Sequence, residues 1–189
     1  MAMPDTAWPL LVAAVTAVVT TLAVGLFVAP RMEARKKRLG EVHTARDAFS
    51  TNMTRIISAC SLLERLQLPP ADEPGLTSVM RDRLTGERER WWQQLDDATR
   101  WLIDNVATYA GSWPMRHLIH FAVEYAGNAR MVVLSEREEA TKLELLLALT
   151  VPVQRQFFGW PWSRVRHMFA DRQAFAETIT RIGGEPIAP

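Results

Sequence analysis

The sequence predicts an all-α protein: a single N-terminal transmembrane helix followed by a cytoplasmic antiparallel bundle of three long helices plus a C-terminal helix. Three observations lead to this prediction. Residues 6–30 carry no charged side chain, and the next eight positions read RMEARKKR. Beyond them, apolar residues recur every seven positions through several long segments. No segment alternates apolar and polar residues in the way that a half-buried strand does.

The uncharged run is predicted to be a retained membrane anchor. A helix from Trp8 to Val28 would be about 31 Å long, which matches the hydrocarbon thickness of a bilayer. This apolar core is longer than that of a cleaved signal peptide, and Pro30 follows the best cleavage pair, Val28-Ala29. Residues 1–30 are therefore assigned to an N-terminal tail and a transmembrane anchor.

The charges after the anchor predict its orientation. The basic juxtamembrane segment 31–38 holds a single acidic residue, Glu33, and basic residues resist translocation. The C-terminal part is thus expected in the cytoplasm and the N-terminus outside, in a single-pass protein of the plasma membrane. The basic side chains should attract anionic lipid headgroups, and a tryptophan should lie at the outer interface. The predicted membrane-interface residues are Trp8, Arg31, Arg35, Lys36, Lys37 and Arg38.

Small residues recur every fourth position within the anchor. They are Ala13, Ala17, Thr21 and Gly25. Small residues at this spacing let two helix backbones approach closely, so association of two spans is one hypothesis. Because Ala, Gly and Thr make up nearly half of the segment, the row also has a simple compositional explanation.

The cytoplasmic domain, 39–182, is predicted to begin with two long helices. The first covers 31–66, has an apolar row from Val42 to Leu63, and ends before Pro69-Pro70. The second runs from Thr77, which can cap it, to Tyr109, where the Gly111–Pro114 break follows.

The third segment, 115–150, allows two interpretations. One apolar phase from Ile119 to Leu147 favours a single helix, whereas Ser135 with Glu138 forms a capping-box pattern that favours a break. A single helix is preferred because its length then matches the first two, and Pro152 should end or kink it.

The last helix is predicted over 163–182, and residues 183–189 form a flexible C-terminal tail after Gly183-Gly184. The apolar side of this helix is expected to contain Val165, Met168, Phe169, Phe175 and Ile179.

Composition and motifs argue against several classes of function. The formal net charge is +1, and no segment has the concentrated basic face typical of nucleic-acid binding. The only cysteine, Cys60, lies in an apolar helical row, where an inert core thiol is expected. The sequence contains no glycine-rich phosphate loop and no Gly-x-Ser-x-Gly elbow. It therefore predicts a non-catalytic protein without a cofactor.

His117, His120 and Glu124 form the one metal-like cluster of the sequence. Their spacings of three and four place them on adjacent turns of one helix. They face away from the predicted core, however, and no second helix of ligands accompanies them, so a solvated polar face is the preferred interpretation and no metal site is assigned.

The FFGWPW segment places four large aromatics in a predicted non-helical connection. Three roles are open: a lid over the end of the bundle, a surface for a partner protein, or a membrane contact. The predicted partner-surface residues are Phe157, Phe158, Trp160, Trp162 and Arg164.

Together these features predict a membrane-tethered helical interaction module, a scaffold or regulatory subunit at the inner face of the plasma membrane. Its expected partners are the anionic lipid surface and a membrane or cytoplasmic protein, with a second copy of the chain as a further option. The alternative is a ligand- or metal-responsive membrane sensor that uses the cluster His117, His120 and Glu124.

Overall fold

Every regular element in the described part of the chain is an α-helix, so the all-α prediction is confirmed. The computed structural model describes residues 7–23, 26, 29–66, 77–113 and 116–184. The helices within these ranges are α1 (Ala7–Ala23), α2 (Ala29–Arg65), α3 (Ser78–Asp104), α4 (Val106–Ala110), α5 (Arg116–Leu134), α6 (Glu139–Phe158) and α7 (Pro161–Gly184).

The chain divides into two compact units, Met1–Thr44 and Ala45–Pro189. The first contains α1 and the beginning of α2. Among the described helices, none combines the length and the apolar character needed to cross a bilayer, and α1 has 17 residues. The structure therefore gives no support to the predicted transmembrane helix over 1–30.

The second unit is a helical bundle whose core is centred on Phe49 of α2. Its ring stacks on Tyr109 with 4.4 Å between centroids and meets the edge of Phe157 at 5.4 Å. The seven-residue row that predicted α2 is confirmed from Phe49 onwards, since Met53, Ile56, Cys60 and Leu63 are also fully buried, whereas Val42 at its start is half-buried.

Buried hydroxyl groups in this core find hydrogen-bond partners. Tyr109 donates to the Leu102 carbonyl over 2.9 Å, and the hydroxyls of Tyr125 and Thr150 lie 3.0 Å apart. Burial raises the pKa of both tyrosines well above its usual value, so both phenols remain protonated. These bonds avoid the free-energy cost of an unsatisfied polar group in an apolar interior.

Arginines connect helices that are distant in sequence. Arg88 of α3 donates to the Leu66 carbonyl over 2.5 Å and pairs with Glu139 of α6. Arg46 of α2 donates to the Ser112 carbonyl over 2.6 Å, and its guanidinium lies 4.2 Å from the centroid of the Trp113 ring. The two contacts of Arg46 hold the turn that follows α4 against α2.

The prediction of one helix over 115–150 is wrong. The chain leaves the helical conformation at residues 135–138, so α5 and α6 are separate helices. Helix α5 ends at Leu134, and the hydroxyl of the next residue, Ser135, donates to the Val132 carbonyl over 2.7 Å. The N-cap of α6 is Glu138, which makes no side-chain capping bond. The capping-box pattern therefore indicated the position of the break, although the capping box itself does not form.

The second predicted helix is also interrupted. Thr77 caps α3 as expected, accepting a hydrogen bond from the Met80 amide over 3.3 Å. The helix breaks at Asn105, where the backbone leaves the helical conformation with φ −110° and the side-chain amide donates to the Trp101 carbonyl over 3.0 Å. The short helix α4 then continues to Ala110.

Pro152 does not end a helix, which was one of the two outcomes predicted for it. It lies inside α6, which continues to Phe158, so only Gly159 and Trp160 of the FFGWPW segment are non-helical. The N–H of Gly159 donates to the Arg155 carbonyl over 2.9 Å, and a Cβ at this position would come within 2.3 Å of that oxygen. Glycine is therefore needed for the tight exit from α6.

Several predictions concern residues outside the described ranges. They are the 67–76 loop with Pro69-Pro70, Pro114 of the Gly111–Pro114 break, Gly25 of the small-residue row, and residues 185–189 of the tail. The first two glycines of that tail, Gly183 and Gly184, still belong to α7.

Candidate docking surface

The residues predicted at the membrane interface lie in the first unit. Arg31, Arg35, Lys36, Lys37 and Arg38 occupy the first turns of α2 and are all exposed, and Trp8 belongs to the first turn of α1. Ala13, Ala17 and Thr21 are exposed on α1, where the Thr21 hydroxyl bonds its own helix at the Ala17 carbonyl over 2.8 Å. Association of two spans and binding of headgroups stay predictions.

The FFGWPW segment contributes to two different environments. Phe157 is only 1% exposed, and its ring lies against Trp113 at 4.7 Å between centroids. Phe158 is half-buried and 6.0 Å from the ring of Phe49. Trp160 and Trp162, by contrast, point into solvent. The two phenylalanines therefore close the end of the core, and the two tryptophans remain available at the surface.

Helix α7 is held to α6 through a buried carboxylate. Asp171 accepts hydrogen bonds from Arg155 Nη1 over 2.9 Å and from Gln156 Nε2 over 2.8 Å. Two charge-assisted or polar bonds to one buried carboxylate fix the rotation of α7 about its axis. At the start of α7, Arg164 Nε donates to the Gly159 carbonyl over 2.6 Å, which holds the turn between the two helices.

This rotation corrects the predicted buried side of α7. Phe175 and Ile182 face the core as large apolar residues, but Asp171 and Thr178 share that side. Val165 and Phe169, predicted to be buried with Phe175, are exposed instead. The apolar pattern alone could not show that a carboxylate would take the inner side.

A neighbouring side of α7 carries a row that we call the outer stripe. Its members follow one another at alternating spacings of three and four, which places them on one side of a helix. They are Trp162, Val165, Phe169, Arg172, Ala176 and Ile179. The last member, Ile179, is half-buried and packs against the core, as predicted. Four large apolar side chains in and beside the stripe are mostly solvent-exposed: Trp160 (80%), Trp162 (84%), Val165 (71%) and Phe169 (77%).

The C-terminal half of the outer stripe borders a groove of about 560 Å³ between α5 and α7. Its floor is formed by Phe121 and Phe175, whose ring centroids lie 4.3 Å apart. Arg172 and Ile179 line the α7 wall. The α5 wall is formed by the predicted cluster, His117, His120 and Glu124.

The structure thus brings His117, His120 and Glu124 to one groove, as their spacing on a helix requires. In the described part of the chain, however, no three His, Cys, Asp or Glu side chains form a group that could hold a metal ion. The groove instead combines an apolar floor with a rim of mixed charge. Such a surface suits an amphipathic segment better than a bare cation.

Cys60 takes no part in these surfaces. It is fully buried, and burial followed by the negative charge of Glu64 raises the pKa of its thiol to about 12. The thiol therefore stays protonated near neutral pH, in the form that is a poor nucleophile.

The outer stripe was not identified from the sequence as a surface, although a signal for it existed. Positions 162, 165, 169, 172, 176 and 179 follow the a and d spacing of a heptad, a pattern that the overlapping inner row of Phe175 and Ile182 obscured.

In comparisons with known proteins, no family model, no curated protein and no solved structure matches this chain.

Proposed function

We propose that this protein is a membrane-tethered, non-catalytic helical interaction module at the inner face of the plasma membrane. The tether rests on the sequence: an uncharged run over 6–30 is followed by the basic segment 31–38, a charge order that keeps the rest of the chain in the cytoplasm. The interaction role rests on the second unit, a bundle with its own core.

The observation that carries the proposal is the exposure of the outer stripe. Single apolar residues are common on surfaces, but Trp162, Val165 and Phe169 are exposed at successive steps along one side of α7, and Trp160 is exposed just before the helix. Tryptophan and arginine are also the residues most enriched among those that dominate interface energetics. The partner therefore binds on the outer stripe, with Arg172 adding a charge to it.

The polar groups of the core support a non-catalytic role. Tyr125 and Thr150 satisfy each other's hydroxyls, Asp171 holds Arg155, and Cys60 keeps its proton. Each of these groups is used in packing the bundle, which is their ordinary role in a protein interior.

Proximity labelling in the native membrane tests this proposal. The full chain is fused to a promiscuous biotin ligase, and its labelled neighbours are compared with those of a Trp162→Ser plus Phe169→Ser variant. The matched control carries Ala170→Ser plus Ala174→Ser, two exposed positions of α7 off the outer stripe. Proteins whose labelling falls in the first variant and not in the control support the proposal, whereas identical neighbours in all three contradict it.

A second function is favoured by the groove: a ligand-responsive sensor in which His117, His120 and Glu124 receive the ligand. The specific observation is that these side chains share one groove with Arg172. Titration of the purified full chain with Zn²⁺ tests the metal version of this function. Stoichiometric Zn²⁺ binding that is lost in the variant His117→Ala plus His120→Ala would favour the sensor. If calorimetry of the wild type shows no heat beyond that of diluting Zn²⁺ into buffer, the metal version is rejected.

A further inference from the structure

The N-terminal half of the outer stripe exposes large apolar side chains, and its C-terminal half borders the groove between α5 and α7. The two halves are therefore complementary in shape. We infer that the outer stripe docks on the same stripe of a second copy of this chain, with the two α7 helices antiparallel around a two-fold axis. This inference rests on the proposed function, because it names the occupant of the proposed interaction surface. A closed two-fold pair uses one patch on both subunits, so the patch has to be self-complementary.

The spacing of the stripe selects a helix as the occupant. Alternating steps of three and four give an average period of 3.5 residues, the repeat with which two helices pack along a shared seam. The seam runs over five turns, from Trp162 to Ile179, and is interrupted by one polar residue, Arg172. A single polar residue in such a seam is a common device for selecting one register and orientation.

An antiparallel pair centred between Ala170 and Asp171 matches large side chains with small or concave sites. Trp162 then lies opposite Ile179 of the second copy, and Val165 lies opposite Ala176. Because Ile179 lines the groove between α5 and α7, the indole of Trp162 enters that groove. A volume of about 560 Å³ accommodates an indole, and two such insertions occur in each pair.

The same register also pairs the charges. Arg172 lies opposite Phe169 of the second copy, where a guanidinium can rest on an aromatic face. Arg166 and Glu177 occupy the same flank of α7, both exposed, and a two-fold axis brings equal flanks together. Each Arg166 therefore meets Glu177 of the second copy. A parallel pair would place Arg172 directly opposite Arg172, whereas the antiparallel register offsets the two arginines by about 4.5 Å along the axis and leaves each one opposite Phe169.

The exposed area is sufficient for a reversible pair. Large aromatic side chains can bury about 150–250 Å² each, so the exposed fractions of Trp160, Trp162 and Phe169 with that of Val165 allow burial of at most roughly 600 Å² per copy. The sum for two copies is about 1,200 Å², the lower end of specific protein interfaces. This area predicts a dimer that forms and dissociates rather than a permanent one.

Cysteine crosslinking of the full chain in native membranes tests the register. One tagged chain carries Val165→Cys and a differently tagged chain carries Ala176→Cys, and both are treated with a short bismaleimide. Within one helix these positions are about 16 Å apart, outside the reach of the reagent. Cys60 contributes no background because its thiol is buried. The control pair combines Val165→Cys with Ala174→Cys, an exposed position on the other side of α7.

The expected result is an adduct between the V165C and A176C chains, and none in the control pair or in either chain alone. Adding Arg166→Glu should abolish the adduct, and adding Glu177→Arg to the same chains should restore it. An adduct from the V165C chain alone would show a parallel pair and overturn the inference, as would the absence of any adduct. If no adduct forms while stripe-dependent neighbours persist in proximity labelling, the second copy is excluded and the interaction module stands.

Discussion

Two aromatic residues five positions apart should differ sharply in their effect on stability. Phe157 is almost fully buried, and its ring lies within 6.5 Å of those of Phe49, Trp113, Phe121 and Phe158. Replacing a buried phenylalanine by alanine removes these contacts and leaves a cavity, at a cost of about 3–5 kcal/mol. Trp162 is mostly exposed, so Trp162→Ala should change the free energy of unfolding of one chain by less than about 0.5 kcal/mol.

Thermal unfolding of the full chain, followed by circular dichroism at a dilution that keeps it monomeric, measures this difference. For a chain of this size each kcal/mol corresponds to about 2–4 °C, so Phe157→Ala should lower Tm by about 10 °C. Trp162→Ala should leave Tm within about 2 °C of the wild type. Equal losses for the two variants would show that Trp162 is packed in the core and would refute the division of the FFGWPW segment into a core part and a surface part.

Three further perturbations address other contacts of the bundle. Asp171→Ala should cost about 2–4 kcal/mol in urea unfolding, because it leaves Arg155 and Gln156 without their buried acceptor; a loss below about 0.5 kcal/mol would contradict the fixed rotation of α7. Arg46→Lys should cost about 1 kcal/mol by losing the planar stacking on Trp113, and an unchanged unfolding midpoint would contradict that contact. The thiol of Cys60 has a raised pKa, so its contribution to stability is complete below the unfolded pKa of about 8.5 and is lost as pH rises towards 12. Between pH 7.5 and pH 9.5 the wild type should therefore lose on the order of 1 kcal/mol more than Cys60→Ala, and equal losses would show an exposed thiol.

The sequence predicted those parts of the fold in which local pattern and packing agree. In α2 the apolar row reaches the core along its whole second half, from Phe49 to Leu63, so periodicity was sufficient. Between α5 and α6 the apolar phase from Ile119 to Leu147 continued across a real break. There the local sequence signal, the capping-box pattern of Ser135 and Glu138, indicated the break that the periodic signal did not.

The candidate site could be predicted only in part. The grouping of His117, His120 and Glu124 followed from helical spacing alone, and the groove confirms that they share one surface. The outer stripe depended on the rotation of α7, which Asp171 determines through partners on α6. Because those partners, Arg155 and Gln156, become neighbours only after folding, the sequence could not show which side of α7 would be exposed.

The most direct test of the account is photocrosslinking from α7 in the native membrane. A benzoylphenylalanine is placed at position 169 in the outer stripe and, in a separate chain, at position 174 on the other side of the helix. We expect a discrete protein adduct from position 169, with the mass of a second copy when the dimer is captured, and none from position 174. Equal reactivity of the two positions, or adducts with lipid alone from position 169, would contradict the claim that this surface docks a protein.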